Sequence, residues 1–266
     1  MNPDATAHIA DPDDWDHHWD AYGEAAQTNP ANRFRRRLLM NLLGRPQANS
    51  TVLDIGSGQG EFAVFLAGLY PDLAVWGVEY SESGVSRAQA AARESDVGAR
   101  FVGRNLLEPV ALDPEQQPAR YAVCSEVLEH VADPVRLMTN ARSLLAPGCR
   151  VVVTVPGGPR SAFDRHIGHH RHFTADQLRA VLHDAGYEVD RVLRAGFPFF
   201  NLYKLAVILR GRRLIADVEN RVPQTVPSRL EATVTRFFDA GLRHGCEDSA
   251  FGWQLVAIAR VPAEGA

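Results

Sequence analysis

Cysteine is scarce in this chain, and its three copies, Cys124, Cys149 and Cys246, lie far apart. With no C-x-x-C pair, neither a disulfide framework nor a cysteine-based zinc module is written here. Cys124 and Cys149 fall in or beside apolar segments that read as core strands. Reduced, buried thiols and a cytoplasmic location are therefore expected. Long apolar runs are missing too. Nothing approaches the roughly 20 residues of a membrane span, and no apolar segment follows a basic start, so no membrane partner is expected. Long basic runs are equally absent and the net charge is −4, so no nucleic-acid track is expected. No internal repeat is visible. What remains, 266 residues with 45% hydrophobic and 23% charged side chains, is an ordinary globular composition. That length holds one large domain or one domain with an appendage.

The most informative stretch is Val52-Leu53-Asp54-Ile55-Gly56-Ser57-Gly58-Gln59-Gly60. A short apolar run, the pattern of a buried strand, ends in glycines at alternate positions, which lets a ligand lie against bare backbone. A dinucleotide fingerprint reads G-x-G-x-x-G and holds a pyrophosphate at the next helix N-terminus. Here the third glycine comes one residue early, and Glu61 stands where that fingerprint places glycine. Asp54 and Glu61 would repel a pyrophosphate but suit a ligand carrying positive charge, such as the sulfonium and ammonium of S-adenosylmethionine.

Downstream segments repeat the strand-then-polar-tip pattern. The run 74–78 ends in Glu79, an acid placed to accept both ribose hydroxyls, with Tyr80 next to it. The run 100–104 leads to Asn105 and Leu106, suited to an adenine edge. A fourth strand, 121–125, ends in Ser125 and enters Glu126-Val127-Leu128-Glu129-His130. A fifth, 150–156, follows a helix stop and turn at 144–148. With LDIGSGQG, the acid of VEY, CSEVLEHV and LLAPGCRVVVTVP in that order, the chain resembles the class I S-adenosylmethionine-dependent methyltransferases over roughly residues 50–195. The resemblance is to the branch acting on small molecules, with likeness to the ubiquinone-pathway O-methyltransferases.

The fold this implies is α/β: a doubly wound, Rossmann-like, seven-stranded sheet whose last strand runs antiparallel at the sheet edge. Four parts are expected. Residues 1–48 form an N-terminal helical segment, with helices over 13–43 ending near Gly44 and Pro46. Residues 49–196 form the cofactor-binding core, including a capping box at Thr174 and a sixth strand over 187–193. Residues 197–247, rich in Phe and Tyr, form a helical lid over the substrate or simply extra core. Residues 248–266 supply the last strand and tail.

The resemblance implies a site built from Asp54, Gly56, Ser57, Gly58 and Gly60 around the methionine part of the cofactor. Glu79 takes the ribose, Tyr80, Asn105 and Leu106 enclose the adenine, and Ser125 and Glu126 line the boundary with the acceptor. Two further constellations compete for chemistry. Glu126, Glu129 and His130 fall on one face if their segment is helical. The ubiquinone-pathway likeness implies a divalent metal there, but a purely structural use of these residues is the favoured expectation. The loop 164–173 holds His166, His169, His170 and His172. An imidazole can take the proton from an attacking hydroxyl, so His166, His169 and His172 are the catalytic expectation, with His169 favoured because Gly168 permits a turn that aims it inward. Loop scaffolding and metal ligation are the alternatives, although no cysteine joins the cluster as a zinc site would favour.

The expected activity is transfer of a methyl group from S-adenosylmethionine to a small molecule, foremost to a hydroxyl of a secondary metabolite or a quinone-, polyketide- or sugar-type compound. A nucleic-acid methyltransferase and a non-catalytic cofactor-binding interaction protein are the alternatives. Acceptor identity and oligomeric state are not encoded in any motif found.

Overall fold

The computed structural model describes residues 29–219, 240–242 and 244–263. Trp15, Trp19 and Tyr22 of the expected first helix, and much of the expected lid, lie outside them. Chain order runs α1 (Pro30–Leu43), β1 (Thr51–Ile55), α2 (Glu61–Leu69), β2 (Ala74–Glu79), α3 (Glu82–Glu94), β3 (Arg100–Gly103), β4 (Ala119–Ser125), α4 (Pro134–Ala141), β5 (Leu145–Pro156), α5 (Ala162–His166), α6 (Ala175–Asp184), β6 (Glu188–Ala195), α7 (Phe199–Glu219) and β7 (Gln254–Arg260). The seven strands form one sheet in the order β3-β2-β1-β4-β5-β7-β6. β1 to β5 are mutually parallel, and β7 runs antiparallel to both of its neighbours.

Parallel strands with a crossover helix between them bury both faces, which explains the unbroken apolar runs of β1 and β5. The two faces carry separate cores. Leu53, Ile55, Cys124, Met138, Leu178 and Leu182 pack on one side. Phe34, Leu38, Val52, Leu66, Val123 and Phe200 pack on the other, where α1 lies. Asn29 caps α1 by accepting from Ala31 N–H, and Gly44 at φ 73 ends it.

Three expectations are corrected by the sheet. β7 is antiparallel as expected, yet it sits inside, between β5 and β6, so β6 is the edge. The burial patterns give the reason: six of the seven β7 residues are buried, while β6 alternates through exposed positions that tolerate an open side. β5 starts at Leu145, within the segment expected to be a turn. Leu145 pairs with Ala119, and the register then shifts before Tyr121 meets Arg150. Gly148, at φ 75, belongs to that irregularity. Finally, the Glu126–His130 segment is not an α-helix. Only Leu128–His130 form a 3₁₀ turn, and Glu126 occupies the left-handed region at φ 58. The three side chains therefore do not share a helical face.

Candidate active site

The order reverses between β1 and β4, and the loops leaving the carboxyl ends of the parallel strands gather at this switch point. Every residue expected in the site lies on one of these loops or at a strand tip.

The first loop is fixed by backbone geometry. Gly56 and Ser57 donate their amides to Val78 O at 2.8 and 3.1 Å, and Gly60 donates to Ser57 O at 2.8 Å. At Gly56, with φ +69, a Cβ would lie 2.5 Å from Val127 Cγ2; at Gly60, with φ +78, it would lie 2.6 Å from Phe101 Cζ. Neither position accepts a side chain. The loop can thus lie flush against the turn after β4 on one side and against β3 on the other.

Two buried acids flank this loop. Asp54 is held at the tip of β1, where its carboxylate accepts a bond from the Ala63 amide. Burial, reinforced by the nearby charge of Glu79, raises its pKa to about 7. Glu79 reaches across: its Oε2 accepts from Gly58 N–H at 2.7 Å and its Oε1 from the amides of Tyr80 and Ser81 at 2.9 Å each. Between them, Ser57 Oγ is buried with no hydrogen-bond partner, as is Glu61 Oε1 at the start of α2. Buried polar atoms without partners are rare in native folds, and an unplaced ligand is one standard reason for them. Tyr80 is exposed, and Leu106 is buried. Asn105 uses its side-chain oxygen to accept from Leu107 N–H at 2.9 Å.

The loops after β4 and β5 face this cradle. Ser125 Oγ and Thr154 Oγ1 are 2.8 Å apart. Glu126 forms an ion pair with Arg35 of α1 at 2.9 Å. Its Oε1 also accepts from Thr154 Oγ1 at 3.2 Å and from Gln254 Nε2 at 2.8 Å. Arg35 in turn spends Nε on Gln254 Oε1 at 3.3 Å and Nη1 on Asn32 Oδ1 at 2.8 Å. Arg35 and Gln254 carry no motif and were not singled out in the sequence. The available signal for Arg35 was positional, since it lies beside the stripe of Ala31, Phe34, Leu38 and Leu42 that α1 buries.

The histidines divide. His166 and His170 are exposed, whereas His169 and His172 turn inward. Gly168 at φ 86 makes the turn that precedes His169, as its residue type indicated. His169 Nδ1 lies 3.2 Å from His172 Nε2, and His172 Nδ1 lies 3.1 Å from Gly158 O. Burial, aided by the neighbouring His130, lowers the His169 pKa to about 2, and burial likewise lowers that of His172. His130 and His169 stack edge to face with centroids 4.5 Å apart.

Two acids serve this region differently. Asp164 closes the capping box of α5, with Oδ2 accepting from Ser161 N–H at 2.7 Å, while its Oδ1 pairs with Lys204 Nζ of α7 at 2.8 Å. Burial opposes its ionisation, yet Lys204 and Ser161 outweigh it and hold the carboxyl well below the ordinary range. Glu129 is fully buried, and neither carboxylate oxygen has a partner. Burial first, then the charge of Glu126, pushes its pKa well above the usual value. Of the expected metal set, Glu129 and His130 come together with His169, while Glu126 is drawn away toward Arg35.

Among known proteins, the family model described as "Methyltransferase domain" matches residues 22–192, well over half of the chain. The chain belongs to the methyltransferase-domain family. It is an enzyme of the S-adenosylmethionine-dependent class, and its cradle fits that cofactor: acid-flanked, free of side chains at Gly56 and Gly60, and lined by the orphaned Ser57 hydroxyl. Curated relatives include the ubiquinone biosynthesis O-methyltransferase of Pseudomonas paraeruginosa (strain DSM 24068 / PA7). It is 27% identical over 206 residues, covering 71% of this chain and 85% of that protein. The namesake from Leptothrix cholodnii (strain ATCC 51168 / LMG 8142 / SP-6) is 32% identical over 146 residues, covering 54% of this chain and 60% of the relative. Several other relatives of that name are likewise matched over only about half to three fifths of their length. Among solved structures, geranyl diphosphate C-methyltransferase from Streptomyces coelicolor A3(2) superposes with TM-score 0.55 at 17% identity, covering 96% of this chain and 87% of that one. The [4+2]-cyclase SpnF gives 0.55 at 20% identity, covering 86% and 81%. At these identities the likeness concerns the fold alone, and one fold of this kind hosts more than one reaction. Among the described residues, no helix is long and apolar enough to cross a membrane.

Proposed function

We propose that this enzyme methylates a hydroxyl group of a small molecule, with the cofactor lying in the cradle between β1 and β2 and the acceptor over the tips of β4 and β5. The observation that carries this reading is the acid-flanked glycine loop with the orphaned Ser57 hydroxyl at the switch point. Asp54, Gly56, Ser57, Gly58 and Gly60 hold the methionine part. Glu79 accepts the ribose hydroxyls, Tyr80, Asn105 and Leu106 bound the adenine, and Ser125 and Glu126 face the acceptor. The names of the curated relatives support O-methylation over other acceptors.

When bound, the cofactor supplies an electrophilic methyl on sulfur. An acceptor hydroxyl held against it would take that methyl and release its proton to solvent water. The protein's part is proximity and orientation, which supply the larger share of such a barrier reduction. Glu126 suits that task because three groups, Arg35, Thr154 and Gln254, fix its position. Of the three histidines expected to be catalytic, His166 faces solvent and is assigned no role. Burial pushes the pKa of His169 far below the working pH, which makes it a positioning group rather than a proton acceptor, since an efficient base has a pKa near that pH. A net charge of −4 favours a small-molecule acceptor over nucleic acid.

The test is transfer of a labelled methyl group to a panel of phenols, catechols and hydroxylated metabolites, with amines and RNA alongside. A product heavier by one methyl on oxygen is expected. Transfer only to nitrogen or to RNA would overturn the acceptor class, and cofactor binding without any transfer would favour an interaction module.

A further inference from the structure

Glu129 poses an unusual problem for a folded protein. Its side chain has 0% exposure, and neither carboxylate oxygen is hydrogen-bonded. Buried carboxyl groups without partners are rare in native folds and call for an explanation. Two of the neighbours of Glu129 are polar. His130, the next residue, and His169, from the loop after β5, offer ring nitrogens, and one ligand atom from each of the three lies within 4.8 Å of the others.

The hydrogen bonds around His169 settle which of its nitrogens is available. Gly158 O can only accept, so the His172 nitrogen facing it, Nδ1, carries the proton. With its proton on Nδ1, His172 has Nε2 placed as an acceptor for His169 Nδ1 at 3.2 Å. His169 is left with an unprotonated Nε2, the form in which imidazole binds a metal ion. A ligating histidine whose other nitrogen donates to a fixed partner is the usual arrangement of a metal site. The loop backbone adds to this, since His170 N–H donates to Glu129 O at 2.8 Å and so locks the β5 loop onto the turn after β4.

We infer that Glu129, His130 and His169 form a binding site for one divalent cation of borderline hardness, of the zinc or cobalt class, at the acceptor side of the sheet. One carboxylate and two imidazoles select such ions over magnesium, which favours oxygen-only shells. The set differs from the one the E-x-x-E-H segment implies. Glu126 does not fit as a ligand, because its carboxylate is taken by Arg35, Thr154 and Gln254. A second grouping, Asp164 with His169 and His172, shares His169. Its carboxylate is already committed to Ser161 and Lys204, so it acts as an outer support. Ligation at about 2.0–2.1 Å requires the three side chains to close inward by rotamer adjustment, and three protein ligands leave a coordination position open for water or an acceptor oxygen.

The test uses untagged full-length protein, treated with chelator and then titrated with cobalt(II) or zinc(II) in the absence of cofactor, so that its outcome is independent of methyl transfer. One equivalent of cobalt with a visible d–d absorption of low coordination number is expected, displaced by zinc and unaffected by excess magnesium. Glu126→Gln and His166→Ala should keep that band. Glu129→Gln and His169→Ala should lose it, with circular dichroism melts verifying that each variant folds. A band lost in Glu126→Gln but retained in folded His169→Ala would overturn the proposed ligand set. Absence of any stoichiometric cobalt or zinc binding by the wild-type protein would overturn the site itself. Should Glu129→Gln fail to fold, His169→Ala alone decides.

Discussion

Arg35 Nη2 lies 2.9 Å from Glu126 Oε2, a contact that joins the N-terminal helix to the turn after β4. Both side chains are less than one fifth exposed, and Glu126 holds a left-handed backbone that few non-glycine residues adopt without support. The pair makes α1 part of the site.

The first prediction follows from that pair. Arg35→Met leaves a largely buried carboxylate without its cation and should lower stability by about 2 kcal/mol, discounted from the 3–5 typical of a fully buried pair. Adding Glu126→Gln should recover part of the loss. Urea denaturation of the two single variants and the double variant measures the coupling; additive losses would show that the contact contributes nothing.

Cofactor binding should depend on Gly58. Its φ of 53 suits glycine, and its amide donates to Glu79. Gly58→Val should abolish binding of S-adenosylmethionine and of its demethylated product in calorimetry, while the melting profile stays cooperative. NAD should give no measurable heat with the wild-type protein.

Asp54 makes the stability of the ligand-free enzyme depend on pH. Its pKa rises from 3.8 to about 7 on folding, so the folded state holds the proton more tightly than the unfolded chain. This group's contribution therefore falls as pH climbs from about 4 to about 7 and is level above that, with a slope approaching about 1.4 kcal/mol per pH unit inside the window. Asp54→Asn should remove that component from denaturation curves measured at several pH values. An unchanged slope in the variant would assign the dependence to other groups.

Lys204→Met tests the tie between α7 and α5. Asp164 is almost fully buried and the lysine side chain is 13% exposed. Losing the cation should cost about 3 kcal/mol, and a pairing with Asp164→Asn should restore much of it.

The sheet was legible because parallel strands buried on both faces write themselves as apolar runs, and because acids and glycines punctuate their ends. Val52–Gly60, Glu79 and the Thr174 capping box all stand where the sequence places them. The interior position of β7 was not legible, since two strands of similar composition can exchange places at an edge. The Glu126–His130 segment misled because i, i+3 and i+4 spacing has meaning only on a helix, and the backbone at Glu126 turns the other way. The meeting of Glu129 with His169, and of Arg35 with Glu126, joins elements distant in the chain, and no local pattern encodes it.

The ammonium that pairs with Asp164 belongs to the only lysine in the sequence. Reductive methylation with isotope-enriched formaldehyde would therefore place a side-chain label at one position alone, on α7 and against the loop that carries His169 and His172. Its resonance would follow the seating of that helix as cofactor, acceptor or cation is added, giving the site a built-in spectroscopic reporter that requires no mutation.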